Sequence, residues 1–244
     1  YNIKDKVKHN MMIYFNMEKI ANNSQIKQKL KDLDEKTKKI HGWTTLKERS
    51  FLFNTAKSLH GSGVIVEIGS WKGKSTIWLA LGSKEGINTK IHAIDPFTGS
   101  SEHQKHGVKV WTFDQFKINI NEAKVDDIVC PTISTSKNAA KDWNKPIEFL
   151  FIDAAHEYEF VLEDFQIWSP HLIEGGTIAF HDTTPNLGAI LRGWPIIGLP
   201  GPKKVVIDHI FNSKKFKNVG LVGSIIYATK CSERSFIDSL KSKI

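Results

Sequence analysis

The chain of 244 residues has no apolar run approaching the ~20 residues that a membrane-spanning helix needs. A membrane partner is therefore not expected. Cysteine is nearly absent, with only Cys130 and Cys231. That excludes a disulfide framework, and the expectation is two reduced, buried thiols in a cytoplasmic protein. The start, Tyr1 to Lys6, is not followed by the apolar core of a secretory signal, which agrees with that compartment. Acidic residues are the scarcer charge, 26 against 34 Lys and Arg, for a net charge of +8. Such an excess admits nucleic acid as a partner. Its placement argues against one, because much of it lies before Lys47 and after Lys230, without the interleaved aromatics of single-strand binders. A hydrophobic content of 40% is enough for a large core.

What is present is organised around Val64 to Thr76. Val64-Ile65-Val66-Glu67-Ile68 is β-branched and apolar on both faces apart from Glu67, as a central parallel strand requires. Gly69 permits a sharp turn and a close approach to the backbone. Gly73 opens the next helix, where Ser75 and Thr76 bring hydroxyls near free N–H groups. A phosphate loop needs four residues between its glycines, and only Ser70, Trp71 and Lys72 separate Gly69 from Gly73. A dinucleotide turn needs a glycine where Trp71 stands. A carboxylate one residue before the turn repels phosphate but attracts an ammonium group.

Strand-like and helix-like segments alternate on both sides of this unit. Helix is expected over Met17 to Lys39. Thr45 with Glu48 forms a capping-box signature for a helix reaching Leu59. Lys90 to Asp95 reads as a second strand. An acid ~20 residues past a glycine turn meets ribose hydroxyls in nucleoside-binding βαβ units, and Asp95 lies at that distance from Gly73. Two histidines, His103 and His106, fall in a polar stretch read as a surface loop. Trp111 to Ala123 reads as a helix, Ile128 to Ile133 as a strand, and Ser134 to Trp143 as a capped helix. Ile147 to Asp153 is the fourth strand. A helix follows with Val161, Phe165, Trp168 and Leu172 on one stripe, stopped by Gly175-Gly176. Thr177 to Asp182 is the fifth strand.

The stretch from Thr183 to Lys204 holds four of the eight prolines and reads as a functional or mobile loop. Val205 to Phe211 reads as a helix, and Val219 to Thr229 as a closing hairpin with a Gly-Ser turn. The pattern predicts an α/β fold with a doubly wound, mostly parallel, seven-stranded sheet, a C-terminal antiparallel hairpin and an N-terminal helical extension. The divisions are an extension over residues 1–42, a main domain over 43–231 and a basic tail over 232–244. Three readings stay open for the extension: covering the domain, self-association into a homo-oligomer, or partial mobility.

Glu67-x-Gly69-x-x-x-Gly73-x-Ser75 resembles motif I of class I S-adenosylmethionine-dependent methyltransferases. Asp153-x-x-His156, Tyr158, the stretch Asp164 to Leu172, Gly175-Gly176 and His181-Asp182 resemble a narrower group. That group is the metal-dependent small-molecule O-methyltransferases that include macrocin O-methyltransferase and cephalosporin-hydroxylase-like proteins. The resemblance covers roughly residues 45 to 230. It implies S-adenosyl-L-methionine held by Glu67, Gly69, Ser70, Gly73, Ser75, Thr76, Asp95, Thr135, Ser136 and Asp153. It implies Mg²⁺ or another divalent cation between Asp153 and Asp182, and His156 as general base. His181 stands where cephalosporin-hydroxylase-like proteins carry a carboxylate, and Thr183 where catechol methyltransferases carry Asn. The third protein ligand is thus left unassigned, with His181 as candidate. His181 and Asp182 would not both face a metal unless the strand has ended before them. The implied activity is O-methylation of a hydroxyl on a sugar or polyol-bearing small molecule. The rivals are a nucleic-acid methyltransferase and a non-catalytic cofactor-binding protein.

Overall fold

The computed structural model describes residues 24–99, 109–183 and 200–232. The elements are α1 (Ser24–Thr37), α2 (Leu46–Lys57), β1 (Val64–Ile68), α3 (Lys74–Glu85), β2 (Ile91–Asp95), α4 (Phe113–Glu122) and β3 (Val129–Ile133). They continue with α5 (Ser136–Ala140), β4 (Ile147–Ile152), α6 (Tyr158–Trp168), β5 (Leu172–Phe180), α7 (Pro200–Val206), β6 (Phe216–Val222) and β7 (Ile225–Lys230). One sheet holds all seven strands in the order β3-β2-β1-β4-β5-β7-β6. The pairs from β3 through β5 are parallel, and β7 runs antiparallel to both of its neighbours. The order reverses between β1 and β4, which opens the crevice where ligands of such sheets bind.

The period-2 alternation of the strands builds two core layers. Ile65, Phe149, Phe151 and Ala179 point to the side covered by α2, α3 and α4. Val66, Ile68, Leu150, Ile152, Ile178 and Phe180 point to the side covered by α6 and α7. This parity sets the site, because Glu67, Asp153 and His181 continue the first set. The N-terminal α1 packs on α2 and α3 through Leu30, Phe53 and Trp78, and the Trp78 indole donates to Thr37 Oγ1 at 3.1 Å.

Several expectations need correction. The Val161 stripe does not run through Leu172, because α6 ends at Trp168 and Pro170 sits in the following 3₁₀ turn, where it cannot continue an α-helix. Gly175 and Gly176 do not stop a helix but lie within β5. Ile147 pairs with Leu172 and Phe149 with Thr177, so the extra residues form a bulge, with Gly175 at φ 82°. The fifth strand ends at Phe180 and not at Asp182. α5 is shorter than expected, because Lys141 and Trp143 bond back to Asn138 and Ala140 and so seat Trp143 against Trp168. The helix expected from Val205 starts earlier, with Pro200 and Pro202 in a first turn that tolerates proline, and ends as a π-turn over Ile207–Phe211. Cys231 is buried, but Cys130 is only half-buried, since β3 is an edge strand.

The capping box at Thr45 and the hairpin turn at Gly223-Ser224 are as expected. The expected loop segments holding His103, His106 and residues 184–199, and the helix start before Ser24, lie outside the described residues. Among the described residues no helix is long and apolar enough to cross a membrane.

Candidate active site

The turn after β1 carries two orphaned polar atoms. Glu67 is fully buried, with Oε2 accepting the Thr76 hydroxyl and Oε1 without a partner. Ser70 Oγ, 2% exposed at the residue level, also has none. Burial lifts the Glu67 carboxyl to about 7, against the opposing pull of the Ser75, Thr76 and Ser70 hydroxyls. The Thr76 hydroxyl therefore serves Glu67, and α3 starts from Gly73 at φ 84° with no side-chain cap. Gly69 adopts φ 88°, and a Cβ there would stand 2.2 Å from the Asp153 carbonyl oxygen. Its close approach is thus to the β4 backbone, where Asp153 N donates to Ile68 O at 2.8 Å. An unpaired carboxylate oxygen beside an unpaired hydroxyl suits a ligand that brings N–H donors and positive charge.

Asp95 ends β2 beside this turn. Its Oδ2 accepts from Ser70 N at 2.8 Å and Trp71 N at 2.7 Å, and its Oδ1 from Phe97 N at 2.5 Å. The carboxylate fixes the glycine turn, and a ribose hydroxyl would use its remaining lone pairs. Thr135 Oγ1 caps α5 through Asn138 N at 3.3 Å. Ser136 Oγ accepts from the Trp168 indole at 2.7 Å and bonds Asp164. Both hydroxyls expected near an adenine are thus engaged by the protein itself.

The acids at the ends of β4 and β5 converge. Asp153, His181 and Asp182 each offer one ligand atom, all within 4.8 Å of one another. His181 Nδ1 lies 3.0 Å from Asp153 Oδ1 and 3.1 Å from Asp182 Oδ2. His156 Nε2 lies 3.3 Å from Asp182 Oδ2. The condition on the strand end is met, since β5 stops at Phe180 and Asp182 takes φ 55°. Burial disfavours charge on His181, but the Asp153, Asp182 and Glu48 carboxylates outweigh it and raise its pKa well above the ordinary range. Burial raises Asp153. For Asp182 burial is overcome by His156 and His181, which hold it well below the carboxylate range. Neither ring nitrogen of buried His181 has an aligned hydrogen-bond acceptor, although carboxylates lie at ion-pair distance. Two carboxylates and one imidazole, once its Nδ1 gives up a proton to the entering ion, form a donor set that fits a divalent cation completed by water or hydroxyl oxygens.

Glu48, Thr183 and Ser224 join this cluster without having been singled out for it. Glu48 on α2 accepts from Ser224 N at 2.6 Å and Ser224 Oγ at 2.9 Å through Oε1. Its Oε2 accepts from Thr45 N at 2.6 Å and Thr45 Oγ1 at 2.8 Å, and lies 3.6 Å from His181 Nε2. Thr183 donates twice to Ser224 O, from N at 3.0 Å and from Oγ1 at 2.6 Å. The capping-box spacing pointed to Glu48 but explained it fully as a cap, so nothing in the sequence linked it to His181.

Residues 66–183 match the sequence profile of a family described as "Methyltransferase domain". A curated relative, an uncharacterised protein of Acanthamoeba polyphaga mimivirus, is 31% identical over 161 residues, which are 64% of this chain and 66% of that protein. Among solved structures, an O-methyltransferase from Bacillus cereus in complex with S-adenosylhomocysteine superposes with a TM-score of 0.56 at 18% identity, covering 83% of this chain and 90% of that one. The O-methyltransferase TomG of Streptomyces achromogenes, in complex with S-adenosylmethionine, gives 0.55 at 15% identity, covering 84% and 89%. At these identities the likeness is one of fold.

Proposed function

We propose, from the match of residues 66–183 to a methyltransferase-domain family, an S-adenosylmethionine-dependent O-methyltransferase assisted by a divalent cation and acting on a small-molecule hydroxyl. The observation that carries this reading is the convergence of Asp153, His181 and Asp182 beside His156, one strand away from the turn of Glu67.

S-adenosylmethionine supplies an electrophilic methyl group on a sulfonium. A divalent cation supplies a Lewis acid that lowers the pKa of a coordinated hydroxyl. Glu67 Oε1 and Ser70 Oγ, the unpaired pair at the turn, bind the ammonium end of the cofactor. Asp153, His181 and Asp182 would hold the cation. His156 would accept the proton that the acceptor hydroxyl loses. Asp182, 3.3 Å away, orients the imidazole and stabilises its protonated form. Most of the acceleration on this reading comes from positioning and preorganised charge.

Calorimetric titration of S-adenosylhomocysteine, with and without Mg²⁺, tests the first half. Metal titration of wild type and Asp182→Ala tests the second. The reading expects micromolar cofactor binding and a metal site lost in the variant. Absence of cofactor binding overturns the methyltransferase reading. Cofactor binding with no metal site leaves a metal-independent enzyme in which His156 works alone.

A further inference from the structure

We propose that Glu48 is a positioning residue for the metal centre, a buried carboxylate that fixes the His181 imidazole from behind so that Nδ1 faces the cation. The inference rests on the metal reading above. It extends that site to α2, which lies outside the stretch 66–183 that carries the family match.

Two opposed directions at one imidazole carry it. Nδ1 faces Asp153 and Asp182 at 3.0 and 3.1 Å, while Nε2 faces Glu48 Oε2 at 3.6 Å. His181 is 4% exposed and Glu48 fully buried, so no solvent competes for the N–H between them. Nε2 has no aligned acceptor, and Glu48 is the carboxylate on its side of the ring. A metal-bound imidazole keeps its proton on the other nitrogen. A carboxylate there fixes the tautomer and ring plane and raises ligand basicity.

Glu48 is itself rigidly held. Four hydrogen bonds from Thr45 and Ser224 fix both of its oxygens. All four are donated to Glu48 by N–H and O–H groups, as a carboxylate with two accepting oxygens requires. A cap alone does not require that position. The two Ser224 bonds tie α2 to the β6–β7 turn, and the Thr183 bonds to Ser224 O tie the same turn to the chain leaving Asp182. The ring of His181 is thus fixed from its own strand end and from α2 at once.

The test is calorimetric titration of Mn²⁺ into the full chain, with thermal midpoints and S-adenosylhomocysteine affinity measured on the same samples. Glu48→Gln keeps size but loses the charge and one of the two accepting oxygens. Glu48→Asp keeps the charge and withdraws it from the ring, and serves if the first variant does not fold. Ser224→Ala and Thr45→Val remove hydroxyls that bond Glu48 without touching His181. The proposal expects a ~10- to 100-fold loss of Mn²⁺ affinity in both Glu48 variants, with cofactor affinity held within about twofold. It expects lower thermal midpoints but unchanged Mn²⁺ affinity in the hydroxyl variants. Wild-type Mn²⁺ affinity in the Glu48 variants overturns it. So does a loss of affinity that follows the thermal midpoint across all four variants, which is the mark of a merely structural residue. A wild-type chain that binds no Mn²⁺ overturns the metal reading itself and is distinguishable from both.

Discussion

His181 Nδ1 lies 3.1 Å from Asp182 Oδ2, so two consecutive residues turn their side chains to one point. Extended backbone cannot do this, because neighbours on a strand face opposite ways. The positive φ of 55° at Asp182 makes it possible, a conformation that costs a non-glycine residue energy and is often found where function holds it in place.

His156 meets this pair at Asp182, with Nε2 3.3 Å from Oδ2. As the proposed proton acceptor it is expected to affect turnover and not cofactor binding. His156→Ala should lower kcat ~10²- to 10⁴-fold and leave S-adenosylhomocysteine affinity unchanged. Once an acceptor is in hand, single-turnover methyl transfer checks this, and an undiminished rate removes His156 from the mechanism.

Glu67, lifted to about 7 by burial, is mostly protonated at pH 6 in the free protein. An ammonium group beside it favours the ionised form. Cofactor binding at pH 6 should therefore release close to one proton, and at pH 8 almost none. Affinity should rise with pH up to about 7 and then level. Calorimetry in two buffers of different protonation enthalpy counts the protons. Glu67→Gln should abolish the release, and proton uptake at pH 6 would rule out the assignment.

Asp164 supplies a pH effect on stability away from the site. Burial raises its carboxyl to about 6, from an unfolded value of 3.8, against the Ser136 hydroxyl. The folded state then holds more protons than the unfolded state between those values, so stability falls as pH rises through this window. The loss is of the order of 3 kcal/mol at neutral pH. Asp164→Asn should flatten that slope, as urea midpoints at pH 4.5 and 7.5 would show.

Glu148 on β4 accepts from His60 N at 2.7 Å and from Gly61 N and Ser62 N at 3.0 Å each. It thereby holds the loop that enters β1. Glu148→Ala leaves these donors without their acceptor and should cost about 1–3 kcal/mol, with cofactor affinity reduced only as far as the fold is. A urea midpoint equal to that of the wild type would show that water replaces the carboxylate at no cost.

The alternation of apolar strands and amphipathic helices was legible because each element carries its own period, and β1, β2 and β4 fall where the sequence places them. Boundaries were less so. The glycines at 175 and 176 signal a break equally well as a helix stop and as a bulge. Only the pairing of Ile147 with Leu172 and Phe149 with Thr177 decides for the bulge. Asp95 looked like a ribose ligand from its distance to Gly73, while its three backbone donors come from Ser70, Trp71 and Phe97, whose N–H directions no sequence pattern reveals.

By itself the sequence determined the parallel sheet, the glycine turn beside Glu67 and the acids at the strand ends, since these follow from local propensity and chain order. Tertiary structure decided which of them meet. The turn at Asp182 brings His181 and Asp182 to one point, and the packing of α2 against the sheet places Glu48 behind His181. Those contacts join residues as far as 133 positions apart, and a contact of that span depends on how the layers pack, which no local pattern encodes.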